Sequence, residues 1–450
     1  MRKTNFALAL LTAAALAACG GNGSTGGDQS LKTKFSSQVS FGDSLSDVGT
    51  YAVGPIAAMG GGKYTINGNN TSTSPDLTGK NWTELVAAQL GLPAPCAAQT
   101  GLQGDAKQGF SVAVVNNNNC LNYAQGGSRV TNPVGPGNAL TGSPLGQMTV
   151  PVAKQIDNHL AKVGGKFTGT EFVTVMVGGN DILMQLGGLQ TDATAAGSTA
   201  FATSLTGQLA AGAPSPASAA QAIGLAIQTE AARPGSTSES IVGVAVTAAV
   251  KAGNTAAGNP AVYGPMVAKA QTDATTAGNN YFAANSARIV SAMATAGAET
   301  VALVKNQIIG KGANFVLVNN LPDVASTPSG KHQTADVQKL IDTAVNAYND
   351  QLKSGLAGES KVLLVDFYTV SKDQVANPAV YGLSNTKEMA CSTDLAKNAL
   401  GGTSLVCNAK NVVAGDVSRY MFADEIHPTP FEYRLVASYV LEQMVVKGWL

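Results

Sequence analysis

The run Glu171-Phe172-Val173-Thr174-Val175-Met176-Val177 constrains this chain most, because it is largely β-branched and stops abruptly on Gly178-Gly179-Asn180-Asp181. A short apolar run bounded in this way reads as a buried strand, and strands of that kind belong to parallel sheets covered by helices. The pattern recurs along the chain. Val39-Ser40-Phe41 ends on Gly42-Asp43-Ser44, and Cys120-Leu121-Asn122-Tyr123-Ala124 ends on Gln125-Gly126-Gly127-Ser128. Two further strands are predicted at 314–318 and 361–367.

Helical patterns separate these strands. Trp82, Leu85, Val86 and Leu90 keep helical spacing within 81–91, ahead of Pro93 and Pro95, and Ala153, Ile156, Leu160 and Val163 do so within 147–163. Val337 to Leu352 holds the spacing almost without error, Phe282 to Ile308 suggests a long helix with Gly297 as its break, and 431–446 closes the chain. Five strands alternating with helices predict right-handed crossovers and a three-layer α/β/α sandwich around one five-stranded parallel sheet. The carboxyl ends of such strands share one edge, where open sheets bind ligands, so Ser44, Gly127 and Asn180 are expected to converge there.

Two stretches fall outside the alternation. Residues 49–79 are rich in Gly, Asn and Thr and read as loop. Residues 188–280 shift to Ala, Thr, Gly and Ser, and Pro214, Pro216, Pro234 and Gly235 cut them into what should be short helices. This helical insertion could cover a substrate cleft, although nothing in the sequence places it there.

Lys plus Arg and Asp plus Glu number 28 each, so the formal charge is zero and no basic stripe offers a footprint for nucleic acid. At the N-terminus Arg2 and Lys3 precede an apolar run to Ala18, the layout of an export signal over 1–18. Leu16-Ala17-Ala18-Cys19-Gly20 resembles a bacterial lipobox, which implies lipidation of Cys19, a flexible tether over 19–36 and anchorage in the cell envelope, at the outer membrane. Export permits disulfides. Cys96, Cys120, Cys391 and Cys407 allow three pairings, of which the sequence-local ones, Cys96 with Cys120 and Cys391 with Cys407, are favoured.

A serine nucleophile needs a base, and the base needs an orienting carboxylate. Of three histidines, His159 in an amphipathic helix and His332 in a loop are expected at the surface. His427 follows Asp424 by three residues in a turn that Pro428-Thr429-Pro430 keeps out of helix. Alone, that pair is equally well a structural cap. Donors for a developing oxyanion could come from the backbone at Ser44, the backbone of Gly127 and the side chain of Asn180. Asp43 and Asp47 read as turn-holding carboxylates, and no ligand set for a metal is evident.

Four blocks now stand in order: Phe41-Gly42-Asp43-Ser44-Leu45-Ser46-Asp47, Asn122-Tyr123-Ala124-Gln125-Gly126-Gly127-Ser128, Gly178-Gly179-Asn180-Asp181, and Asp424-Glu425-Ile426-His427-Pro428-Thr429. With them the chain resembles the SGNH/GDSL hydrolases, in the lipase, phospholipase and acyltransferase branch, over about 37–186 and 281–450. The resemblance implies a flavodoxin-like fold across 37–450 with the insertion outside the pattern, and an esterase or lipase that uses no cofactor. It implies Ser44 as nucleophile, His427 as base and then acid, Asp424 as its orienter, and Ser44, Gly127 and Asn180 as oxyanion donors. Small-molecule or lipid esters are the expected substrates. A carbohydrate O-deacetylase of the same fold, or a non-catalytic ligand-binding lipoprotein, is the alternative.

Overall fold

The computed structural model describes residues 33–68 and 79–450; the export signal, Cys19 and most of the tether lie outside the described residues. The chain divides into two compact units, Met1–Met184 with Val290–Leu450, and Gln185–Ile289. The strands in chain order are β1 Gln38–Gly42, β2 Gln99–Gln103, β3 Ser111–Asn116, β4 Phe172–Met176, β5 Phe315–Asn319, β6 Val362–Val365, β7 Asn385–Met389 and β8 Tyr420–Phe422. The helices are α1 Gly54–Ala58, α2 Trp82–Gln89, α3 Val152–Lys162, α4 Gly179–Ala211, α5 Pro216–Ala231, α6 Ser238–Lys251, α7 Pro260–Ala302, α8 Pro328–Lys331, α9 Ala335–Gly355, α10 Phe367–Ala376 and α11 Pro430–Lys447.

The first unit is built on a parallel sheet of order β1-β4-β5-β6. It has four strands, not the five expected from the sequence. The predicted strand at 120–124 meets β1 through a single parallel bridge between Ser40 and Asn122. Its Tyr123 and Gln125 N–H groups donate to the Ser40 and Gly42 carbonyls, but the Gly42 N–H that would continue the ladder donates to the Gln155 side chain instead. Counting that bridged segment, the order reads 2-1-3-4-5, the doubly wound order whose switch point lies between the first and third strands.

Strand alternation sends two sets of side chains to opposite faces. Phe172, Met176, Leu317 and Leu363 pack with Trp82 and Val86 of α2 and with Val436 and Val440 of α11. Asn81 starts α2 with a capping box shared with Glu84, and Thr429 caps α11 ahead of Pro430. On the other face Val173, Val175, Val316 and Val318 are fully buried. There α9 sends the Tyr348 hydroxyl to the Val177 carbonyl, 2.7 Å away, and α3 sets His159 against the Phe41 ring.

His159 therefore contradicts its expected surface position. It lies on the buried stripe Val152, Gln155, Ile156 and Leu160, one helical face, while its charged neighbours point away. Burial lowers its pKa to about 4, so the ring stays neutral near pH 7. His332 is exposed. Gly297 is not a break: α7 runs through it and ends in a π-helical turn at Leu303–Ile308. A Cβ at Gly297 would fall 2.7 Å from the Tyr348 carbonyl oxygen, so glycine is what lets this part of α7 lie against α9.

The second unit is helical. Its core is Leu205, Leu209, Ile223, Ile227 and a set of alanines. The breakers fall where expected, Pro214 and Pro216 at the break between α4 and α5 and Pro234 and Gly235 at that between α5 and α6, but the helices are not all short, since α4 and α7 run 33 and 43 residues. The antiparallel hairpin β2–β3 and the parallel ribbon β7–β8 have no counterpart in the sequence expectations. Both sequence-local disulfides, Cys96–Cys120 and Cys391–Cys407, are formed.

Candidate active site

Ser44 follows β1 by two residues, on a turn in which Ser46 N–H donates to the Asp43 carbonyl and Asp47 N–H to that of Ser44. Asp47 fixes this turn to its neighbours. Its Oδ1 accepts from the N–H groups of Gly49 and Thr50, each at 2.8 Å, and its Oδ2 accepts from Gly126 N–H at 2.9 Å. One carboxylate thus ties the Ser44 turn to the Gly126-Gly127 turn. Burial pushes its pKa up to about 6 against the pull of those three donors. Asp43, which accepts from Leu45 N–H, is pushed up to about 7 by burial.

The side chains of Asn122 and Asn81 complete the cradle by donating to the carbonyls of Ser46 and Asp47. Gln155 on α3 both accepts from the Gly42 N–H and donates to the Gly42 carbonyl, at 2.9 and 2.8 Å, and reaches the Ser128 hydroxyl. Sequence reasoning missed Gln155. A polar residue on the apolar stripe of α3 was the available signal.

The histidine arrives from the far end of the chain. His427 Nε2 lies 2.8 Å from Ser44 Oγ, across 383 residues of sequence. His427 Nδ1 lies 2.8 and 2.9 Å from the two Asp424 oxygens. Asp424 also accepts from the N–H groups of Ile426, His427 and Ser404. Burial would raise its pKa, yet the His427 charge and these donors together hold it well below the usual carboxylate range. The Tyr64 ring packs over the imidazole with centroids 4.8 Å apart. Ser404, inside the loop closed by Cys391–Cys407, could not have been found by residue type, because its contribution is a backbone N–H.

The expected oxyanion donors are in place as groups with capacity to spare. Among the described residues neither the Ser44 N–H nor the Gly127 N–H has a protein acceptor. Asn180, in the first turn of α4, spends one amide hydrogen on the Ser128 carbonyl at 2.8 Å and keeps the second. Gly127 has φ +80°, and a Cβ there would meet the Pro136 carbonyl oxygen at 2.3 Å, so no other residue fits the turn. Asp181 is engaged elsewhere, in an ion pair with Arg129. Among the described residues no three His, Cys, Asp or Glu side chains gather as a metal-ligand set. A serine hydroxyl on an imidazole, with a buried carboxylate behind it and unspent N–H donors beside it, can carry out acyl transfer.

The family model described as GDSL-like Lipase/Acylhydrolase matches residues 271–440, a span that holds Asp424 and His427. The comparisons support this family. A GDSL esterase/lipase of Arabidopsis thaliana is 31% identical over 150 residues, 30% of this chain and 40% of the relative. Another from the same plant is 27% identical over 146 residues, 29% and 38% respectively. The anther-specific proline-rich protein APG of Arabidopsis thaliana is 25% identical over 173 residues, 36% and 32%. The chain thus spans well under half the length of these relatives.

Proposed function

We propose that the protein is a serine carboxylic ester hydrolase of the esterase/lipase type. The observation that carries this reading is the single hydrogen-bonded line from Ser44 Oγ through His427 to Asp424. His427 Nε2 takes the Ser44 proton as Oγ attacks the ester carbonyl, and Asp424 holds the ring in the tautomer that can accept it. The oxyanion forms toward the N–H groups of Ser44 and Gly127 and the Asn180 amide. His427 returns the proton to the departing alcohol, leaving an acyl-enzyme on Ser44. Water then repeats the sequence with His427 again as base, and free acid leaves. No cofactor takes part in these steps.

Acyl lipids or short-chain esters are the substrates this chemistry accepts. The test is hydrolysis of nitrophenyl acyl esters by the mature chain; turnover that persists at the wild-type rate in Ser44→Ala sinks the mechanism. We further infer that Cys19 is lipidated and holds the enzyme, through the Gly/Asn/Ser tether, at the bacterial outer membrane, a reading supported by Leu16 to Gly20 alone. A Cys19→Ser variant should leave the membrane fraction, and its retention there would refute the anchor.

A further inference from the structure

A cavity of about 480 Å³ lies between α3, the base of the β2–β3 hairpin and the segment that leads into the Gly126-Gly127 turn. None of Ser44, Asp424, His427, Gly127 or Asn180 lines it. Its size falls within the roughly 300–1,000 Å³ of small-molecule sites, but its walls are not the usual apolar ones. Asn116 to Asn119 are four asparagines in a row, and the first three line the cavity together with Gln99, Gln125 and Asn158. The run is held in place. Asn117 donates its N–H to the Ala98 carbonyl and its side chain to the Ala97 carbonyl, each at 2.8 Å, and the Cys96–Cys120 disulfide closes the loop that carries it. A wall fixed in advance spares a ligand the cost of ordering it.

These amides have capacity left over. Gln125 donates to Gln99 and Gln99 to Asn116, in one line of hydrogen bonds of 3.0 and 2.9 Å. That line leaves both amide hydrogens of Asn116 and one of Gln99 unspent. The side chains of Asn118 and Asn158 have no partner among the described residues. Charge is scarce by comparison. No carboxylate lines the cavity, and Lys162, its one cation, already donates to the Cys120 carbonyl at 2.9 Å. The walls therefore suit an uncharged guest rich in groups that both donate and accept. Sugar hydroxyls do both, whereas each peptide N–H or C=O does only one. A planar amide sets its donor and acceptor side by side, so two adjacent hydroxyls of a sugar ring meet both, and Val150 and the Tyr123 ring give apolar surface for the ring's C–H groups.

We propose that this cavity is a binding site for a neutral oligosaccharide, separate from the catalytic centre. Asn116, Asn118, Asn158 and Gln99 meet its hydroxyls with the donors and acceptors that the fold leaves unused. A sugar chain bound there holds the protein to a carbohydrate without occupying Ser44, so the site is a function additional to ester hydrolysis and stands whether or not that reading holds.

The experiment is titration calorimetry of the full chain with trisaccharides of β-1,4-linked glucose, α-1,4-linked glucose and β-1,4-linked N-acetylglucosamine, and with tri-galacturonate and tri-alanine for contrast. At least one neutral trisaccharide should bind with a Kd of about 1 mM or tighter. Asn118→Ala with Asn158→Ala removes two amides that nothing in the fold uses, so the double variant should keep its melting temperature and weaken binding by at least about fivefold. Ala161→Trp, which fills the space from α3, should abolish binding, and ester turnover should be unchanged in both proteins. Ser44→Ala should bind as the wild type does. No neutral trisaccharide bound at about 10 mM, or binding undiminished in the double variant or in Ala161→Trp, overturns the site. Binding lost once a serine-directed fluorophosphonate occupies Ser44, or ester turnover that falls along with binding, overturns its separation from the catalytic centre. Tighter binding of tri-galacturonate or tri-alanine overturns the choice of guest.

Discussion

The two halves of the site are buried alike and supported in opposite ways. On the nucleophile side Asp43 and Asp47 face mainly backbone N–H groups, and burial wins, lifting their pKa values to about 7 and 6. On the histidine side Asp424 is just as enclosed, yet it faces the imidazole and three backbone donors, and the balance reverses. The first half is a scaffold of side chains clamping the turns that follow β1 and precede α3. The second is a hydrogen-bonded carboxylate–imidazole pair on an irregular segment, held by a two-stranded ribbon and a disulfide loop. Carboxylates that shape turns can tolerate a proton; the one that orients the base is arranged to refuse it.

Ser44→Ala should break the arrangement at its junction, with kcat/KM for ester hydrolysis falling by at least about ten-thousand-fold while the melting temperature stays close to wild type. Gly127→Ala tests the clamped turns. The φ of +80° and the Pro136 carbonyl force the loop to move, so kcat should fall by roughly 100- to 1,000-fold, the effect of losing one oxyanion donor. KM should change far less.

The disulfides test the contrast directly. Cys391→Ser with Cys407→Ser frees the loop that carries Ser404, and Cys96→Ser with Cys120→Ser frees the segment before Asn122. By loop length each pair should cost about 3 kcal/mol of stability in denaturant unfolding. Only the first should also lower kcat, by about tenfold. Asn122 stays pinned by its bridges to Ser40 and Ala97, whereas Asp424 loses a donor. Equal kcat losses in the two double variants would erase the distinction between the halves.

The smallest effect concerns pH. The folded pKa of Asp43 stands near 7, above its ordinary 3.8, so the folded state keeps a proton that the unfolded chain has released. Its contribution to stability is complete below about pH 4 and is lost as pH rises through 7. Asp43→Asn should therefore flatten the stability profile by roughly 2 kcal/mol between about pH 5 and pH 7. Asp424 works the other way: its lowered pKa gives stability that is present above the ordinary carboxylate range and is lost in acid.

The nucleophile half was the more legible in the sequence. A β-branched run stopping on a Gly-rich turn states both its burial and its exit, so the sequence alone places Ser44, Gly127 and Asn180 on one edge. The fifth strand is cut to a single bridge because Gln155 of α3 takes the Gly42 N–H that would extend the ladder, a competition from 113 residues away that composition does not record. His159 was misplaced by its charged neighbours, although its spacing from Val152, Gln155 and Ile156 put it on the buried stripe. The histidine half was legible only as Asp424-x-x-His427. What holds it, the Ser404 N–H and the Tyr64 ring, acts through backbone or across hundreds of residues, and leaves no local pattern to read.

The most direct measurement is covalent. A fluorophosphonate that mimics the acylation transition state should add once to the intact protein, with the mass found on Ser44, and its rate should fall by at least about 1,000-fold in His427→Ala. Label found on another residue, or undiminished in Ser44→Ala, would contradict an activated serine at the end of β1.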